Sequence, residues 1–268
     1  MFKARNCIAL CLLPGVLFYA LLAGACSPAP SAPPPAPVPI SATPSPGAEQ
    51  SPFIRVQYLG HATFLITSTT GIRIITDPYT ATTRFAYREI NEPADIVTVT
   101  HDHPDHNNVA AVSGNPAVFR NAGAQIIKGI QFKGISTWHD NVQGAERGPN
   151  TVICFSVDDV KFCHAGDLGH RLSAEQLAEI GPVDVLFVPV GGTYTIDAAG
   201  ATQLCSDLKP GIIFPMHYKT PQWDFGMAPV DDFLQGKENV QRIEGSIFEF
   251  KPGELPPAPQ IIVLQPSR

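Results

Sequence analysis

Positive charge is scarce in this chain: 18 Lys and Arg stand against 24 Asp and Glu, a net charge of −6. Nucleic acid and anionic membrane surfaces are held mainly by clustered basic side chains, so neither is expected as the main partner. Long hydrophobic runs are missing as well. The apolar stretch from Ile8 to Leu22 is short and poorly flanked for a stable span, which needs about 20 residues. Cysteine is sparse, six in 268 residues, and only Cys154, Cys163 and Cys205 follow residue 26. An odd number implies no disulfide framework. No internal repeat is evident.

What is present begins with a leader. Lys3 and Arg5 precede the apolar stretch, and Ala23-Gly24-Ala25 is a small-residue cleavage site, so residues 1–25 read as a signal peptide. Cys26 follows at once. Leu21 to Cys26 resembles a bacterial lipobox, with the leucine one place further from the cysteine than usual, and Cys26 is the expected lipid site; plain secretion is the alternative. In both cases, and equally for an uncleaved anchor, the domain is expected outside the cytoplasm, in the periplasm or cell envelope, with a lipid anchor as its expected membrane contact. Loss of the leader removes Lys3 and Arg5 but no acid, leaving 16 basic against 24 acidic side chains. Residues 26–52 form a tether, with ten prolines between Ser27 and Pro52. A Pro, Ala and Ser segment cannot bury enough apolar area to offset its ordering entropy, and proline makes it a semi-rigid spacer.

The remainder, 53–268, is expected as a single domain, its folded part running from Phe53 to about Lys251. The tail from Leu255 reads as an extended strap or frayed end. Short strands dominate the first half: Phe53 to Leu59, Thr63 to Thr67, Ile72 to Thr76 and Asp95 to Thr100, punctuated by Gly60, Gly71 and Pro78. Two more surround Trp138. Thr151 to Val157 and Val160 to His164 read as a hairpin around Asp158-Asp159, which sets Cys154 opposite Cys163, as a disulfide or as two buried thiols. Ser173 to Gln176 is a capping box opening a helix to Ile180, Asp197 caps a second helix through Leu208, and Pro229 to Gln235 is a third. Val183 to Val190 and Ile212 to Pro215 are apolar on both faces, as in a sheet covered by helices. The pattern predicts a two-sheet core with helices outside.

The most informative run is His101-Asp102-His103-Pro104-Asp105-His106: three of eight histidines and two carboxylates within six residues, directly after a β-branched strand. A rigid strand end fixes the directions of such ligands, and imidazole with carboxylate suits Zn²⁺ and its first-row neighbours. A loop of solvated polar side chains is the alternative.

His101-x-His103-x-Asp105-His106 resembles the signature of the metallo-β-lactamase superfamily. Gly60-His61-Ala62, Thr76-Asp77-Pro78, Gly166-Asp167 and Pro215-Met216-His217-Tyr218 follow in the matching order. With Pro189 to Thr195, their wording is similar to the branch that includes ascorbate-6-phosphate lactonase-like proteins. The resemblance implies an α+β fold, a four-layer αββα sandwich. It also implies two divalent metal ions, zinc first, with manganese or iron as alternatives. His101, His103 and a third histidine would hold one ion; Asp105, His106 and His217 would hold the other, with Asp167 between them. A water between the ions would be acidified to hydroxide and act as nucleophile. For the third histidine, His139 at a strand end is favoured over His164. His164 lies three residues before Asp167, so on a regular strand the two would face opposite ways.

His61 and His170 are candidates to bind substrate, donate a proton or orient a ligand, and Asp105 is a candidate catalytic carboxylate as well as a ligand. Asp77 is expected to buttress a histidine, and Asp102 to orient one or shuttle protons. Tyr194 and Tyr218 either wall the pocket or pack, and Lys219 is a candidate for meeting an anionic substrate. Specificity is expected in the loops around Tyr79 to Arg88, Tyr194 and Trp223. The implied activity is hydrolysis of a small molecule with an ester, lactone, amide or phosphodiester bond. The alternative is a non-catalytic metal-binding envelope lipoprotein.

Overall fold

The computed structural model describes residues 51–267, so the expected leader and nearly all of the tether lie outside the described residues. The chain begins with β1 (Ile54–Gly60), β2 (Thr63–Thr67), β3 (Arg73–Thr76), β4 (Ile96–Thr98) and β5 (Ala117–Phe119). Next come β6 (Gly123–Ile127), β7 (Ile130–Trp138), β8 (Pro149–Val157) and β9 (Val160–His164). The alternating part follows: α1 (Ala174–Ile180), β10 (Val185–Pro189), α2 (Ala198–Leu208), β11 (Ile212–Met216) and α3 (Val230–Leu234). Last are β12 (Val240–Arg242), β13 (Ile247–Phe250) and β14 (Gln260–Val263).

Local chemistry explains the boundaries. Ser173 accepts from the Gln176 N–H and Gln176 reaches back to Ser173, the expected capping box, while Gly181 with φ 72° closes α1. Asp197 caps α2, and Lys209 in the left-handed conformation ends it. Asp158 and Asp159 both take positive φ, 50° and 63°, the two-residue turn whose twist matches the β8–β9 hairpin.

Two sheets result. The six-stranded sheet runs β13-β1-β2-β3-β4-β5 and the eight-stranded sheet β12-β14-β11-β10-β9-β8-β7-β6. Between them lies the main core. Phe132, Phe155, Phe162, Phe187 and Phe214 step across the second sheet with ring centroids 5.3–6.2 Å apart. Phe64 of the first sheet meets Phe187 at 4.4 Å. The outer face of the second sheet is covered by α1, α2 and α3 through residues such as Ile180, Leu204 and Phe233. Over the first sheet the covering layer is built differently: Tyr79, Phe85, Tyr87, Ile90 and Trp223 come from loops and pack on Leu65, Ile75 and Val97.

One expectation needs correction. The fold does not stop near Lys251, and the tail is no strap. β14 lies inside the second sheet, parallel to β11 on one side and β12 on the other. Proline at 256, 257 and 259 hides the apolar run Ile261 to Leu264, all of it buried. β12 and β13, short and half-exposed, also went unforeseen.

Candidate metal centre

Strand ends and turns aim the polar side chains at one point. The β1–β2 turn puts His61 in the left-handed region (φ 56°), and its carbonyl is held by Tyr58 Oη and by the His217 N–H, both at 3.0 Å. β4 feeds the His101 to His106 loop. β7 ends at Trp138, so His139 sits just beyond a strand end, and His217 directly follows β11. Asp167 lies on a turn after β9, where Gly166 takes φ 57° and a Cβ would stand 2.4 Å from Asn150 Oδ1. Asn150 Oδ1 instead accepts the Asp167 N–H at 3.0 Å and so fixes that turn. Gly169 is required for a similar reason: a Cβ there would lie 2.3 Å from the His139–Asp140 backbone.

Two groups of donors face the centre, and a third, Asp77 with His101 and His106, shares a histidine with each. His101, His103 and His139 each bring one nitrogen within 4.8 Å of the others, with His101 Nε2 3.1 Å from His103 Nδ1. His61, Asp105, His106 and His217 form the second group within the same limit. In it His61 Nε2 lies 3.1 Å from His106 Nε2 and 3.4 Å from Asp105 Oδ2. Asp167 Oδ2 touches both groups: it is 3.1 Å from His139 Nε2, 3.1 Å from His217 Nε2 and 3.2 Å from His106 Nε2.

Behind the inward-facing nitrogens stands a supporting layer. Asp77, fully buried, accepts from His106 Nδ1 at 2.9 Å, from the Thr100 N–H at 2.8 Å and from Thr100 Oγ1 at 2.6 Å. Thr100 Oγ1 in turn meets His101 Nδ1 at 3.0 Å. A carboxylate or hydroxyl on one ring nitrogen leaves the other with its lone pair directed at the centre. Asp77 thus stands where the sequence placed it; Thr100 and Asn150 carried no signal in the sequence.

The electrostatics suit a cation. Burial, reinforced by neighbouring imidazoles, pulls His101 down to about 3 and His61 well below its ordinary value; His103 is lowered for the same reasons. These rings are neutral at pH 7 and keep lone pairs. For His106 burial also opposes the charge, but Asp167, Asp105 and Asp77 outweigh it and raise the ring well above normal. Burial likewise works against the charge of Asp167, yet His106 and His217 hold it well below the usual carboxylate range. His106 and His61 do the same for Asp105. Among the described residues Asp167 Oδ1 is buried without a hydrogen-bond partner, a costly state for a carboxylate oxygen that a cation would relieve. Nitrogen lone pairs and carboxylates converging in a buried space fit divalent first-row metals.

The other candidates fall outside. His170 joins neither group: its Nε2 accepts the Trp138 N–H at 3.1 Å and its Nδ1 donates to the Arg171 carbonyl at 2.8 Å. With both nitrogens committed to backbone, it ties the end of β7 to the 168–171 turn instead of offering a proton. His164 donates Nε2–H to the Ala62 carbonyl at 2.9 Å and accepts the Gly166 N–H, a buried supporting role. Asp102 is exposed and paired with Asn107 and Arg120. Tyr218 is buried among the residues beneath the helices, and Lys219 pairs with Asp224 at 2.7 Å. Tyr194 is half-buried under the Arg147 guanidinium. From the expected specificity loops, Trp223 and Phe85 pack on the His61 ring, centroids 3.9 and 4.9 Å away.

Residues 55–217 match the family described as the beta-lactamase superfamily domain. The chain belongs to the metallo-β-lactamase superfamily. It is similar to a metal-dependent hydrolase of Pyrococcus horikoshii, 30% identical over 75% of this chain and 98% of that protein. A metal-dependent hydrolase of Thermococcus onnurineus is 28% identical with the same coverage. Among solved structures, a candidate Zn-dependent hydrolase of the superfamily from Thermotoga maritima is 37% identical, covering 79% of this chain and 98% of that one, with a TM-score of 0.67. Igni18, a metallo hydrolase of Ignicoccus hospitalis, shares the fold at 22% identity, 74% and 100% coverage and a TM-score of 0.54. This metallo-β-lactamase superfamily member is a metal-dependent hydrolase with the α+β sandwich expected for it.

Proposed function

We propose that the chain is a dinuclear hydrolase of small molecules. His101, His103 and His139 hold one divalent ion. Asp105, His106 and His217 hold the other, with His61 alongside them and Asp167 between the two. The contact of one Asp167 oxygen with imidazoles of both groups carries this reading. Zinc is the first choice of metal, and manganese and iron suit the same donors.

Bound there, such ions supply Lewis acidity and make water nucleophilic near neutral pH. The protein's own part is separable. Asp77 and Thr100 hold the His106 and His101 rings so that Nε2 of each faces inward. Asp105, with 30% of its side chain exposed, is the carboxylate best placed to exchange a proton with substrate at the mouth of the centre. Phe85 and Trp223 keep water from the His61 side. An ester, lactone, amide or phosphodiester suits this chemistry, since the same attack serves carbonyl and phosphorus. The leader and Cys26 support export and attachment to the cell envelope through a lipid, with the catalytic domain held off the membrane by the tether. The acidic balance speaks against nucleic acid.

Metal analysis of protein purified without chelators, combined with a panel of ester, lactone and phosphodiester substrates, tests the reading. Near two equivalents of metal with turnover is the expected result. One equivalent would overturn the dinuclear assignment, and two without turnover would turn the reading to metal capture.

A further inference from the structure

The β8–β9 hairpin carries two thiols that the metal centre does not use. Val157 and Val160 close its two-residue turn, and the closing pair of such a hairpin exchanges both backbone hydrogen bonds. Bonded and non-bonded pairs then alternate, so Cys154↔Cys163, three pairs along, is a non-hydrogen-bonded pair. In such pairs the Cα atoms approach to about 4.5 Å, inside the range of about 4.4–6.8 Å that disulfides span. Both side chains lie on the helix-covered face, away from the phenylalanine core.

Their accessibility differs. Cys163 is fully buried, and its hydrogen bond with Cys154, together with burial, pushes its thiol well above the ordinary value. Cys154 is half-buried and lines a cavity of about 570 Å³ with Lys133, Lys161, Ser156 and the exposed Ile126. Lys133, whose Nζ also donates to the Glu179 carbonyl at 2.6 Å, and Lys161 give the cavity positive charge that attracts an anionic reactant.

We infer that Cys154 and Cys163 form a redox-active dithiol that closes to a cross-strand disulfide, with a small anionic disulfide such as glutathione disulfide entering by the cavity. The Cys154 thiolate attacks one sulfur of the oxidant; the oxidant's S–S bond breaks and one glutathione thiolate leaves. Cys163, its proton passing to the leaving sulfur, then attacks the Cys154 sulfur, and the mixed disulfide breaks. The pair loses two electrons and the oxidant leaves as two thiols. The closed bond joins the strand that carries Asn150 to the strand that leads into Asp167. The inference stands whatever the metal content.

Peptide mapping of the full chain decides it. The reduced protein is exposed to glutathione disulfide, quenched in acid, alkylated and digested with trypsin. Cleavage after Lys161 puts the two cysteines on peptides 148–161 and 162–171, which stay together only if the disulfide has formed. The expected product is that linked pair, two hydrogens lighter than its reduced parts, with Tm raised by about 5 °C and restored by dithiothreitol. Alkylation of both cysteines, or a reaction that halts at a glutathione adduct of Cys154, would overturn the proposal. In Cys163→Ser the adduct at Cys154 should accumulate, and an inert Cys154 there would refute the entry route. In Cys154→Ser, Cys163 should stay unmodified; its glutathionylation would reverse the assigned order.

Discussion

The two donor groups around Asp167 are assembled in different ways. His101, His103 and His139 come from one loop and one strand end. His101 is anchored from behind by Thr100, itself bonded to Asp77. The second group draws on three separate segments: the β1–β2 turn, the same loop and the residue after β11. His106 has Asp77 behind it, so each group has one ring hydrogen-bonded from behind. The Nδ1 atoms of His139 in the first group and of His61 and His217 in the second are buried with no hydrogen-bond partner among the described residues. Ring packing holds these three: His139 against His101 and His103 of its own group, His61 and His217 against Trp223, and His61 against Phe85, the last two packing residues coming from loops elsewhere in the chain. Hydrogen bonds set a ring's rotation; packing sets mainly its position. The second group is therefore the one whose geometry depends on the most distant parts of the chain and is lost first when they move.

Five substitutions test this contrast. Asp167→Asn should do most damage, because it touches both groups at once. Metal should fall below one equivalent and turnover should drop by more than the about 10- to 100-fold that losing an outer partner costs. A variant that keeps two ions would show the groups to be independent. Next, His103→Ala and Asp105→Asn should each lower metal content to about half and abolish hydrolysis in a protein that stays folded. If the groups differ as described, titration of the metal-free chain will show the site left in Asp105→Asn to be the tighter. Asp77→Asn should weaken metal affinity by about 10- to 100-fold with the ligand set intact, read by competition with a chelator. It acts through His106 and Thr100, so a metal affinity equal to that of the unaltered chain would remove Asp77 from the support. His170→Ala should leave metal content and turnover unchanged and cost about 1 kcal/mol of stability from its two backbone hydrogen bonds, measured by denaturant unfolding. A loss of kcat at full metal occupancy would return His170 to the chemistry.

How much of this was legible in the sequence varied with distance along the chain. The His101 to His106 run was plain because its members are neighbours, and the capping box at Ser173 and the Asp158-Asp159 turn were equally local. The strand end favoured His139 over His164, and the structure brings His139, not His164, beside His101 and His103. The parity argument did not apply, because β9 ends at His164 and Asp167 stands on the turn beyond it. The placement of His61 among the donors was hidden. Nothing in Gly60-His61-Ala62 tells that the turn lies 3.0 Å from the His217 backbone, a contact across more than half of the folded chain. His170 misled for the opposite reason, since its closeness to Asp167 in sequence does not carry across the turn. β14 was obscured by the prolines before it.

That last strand has a bearing on how the molecule is made. Every donor lies between residues 61 and 217, so in a chain that emerges N-terminus first all of them appear before 260–263. Until those residues emerge, β11, whose end presents His217, has an open hydrogen-bonding edge where β14 will pair. An exposed apolar edge strand invites pairing with other chains. A nascent chain can thus own a full set of donors and still lack the sheet that aligns them, so maturation of the centre is set by the arrival of a segment that contributes no donor at all.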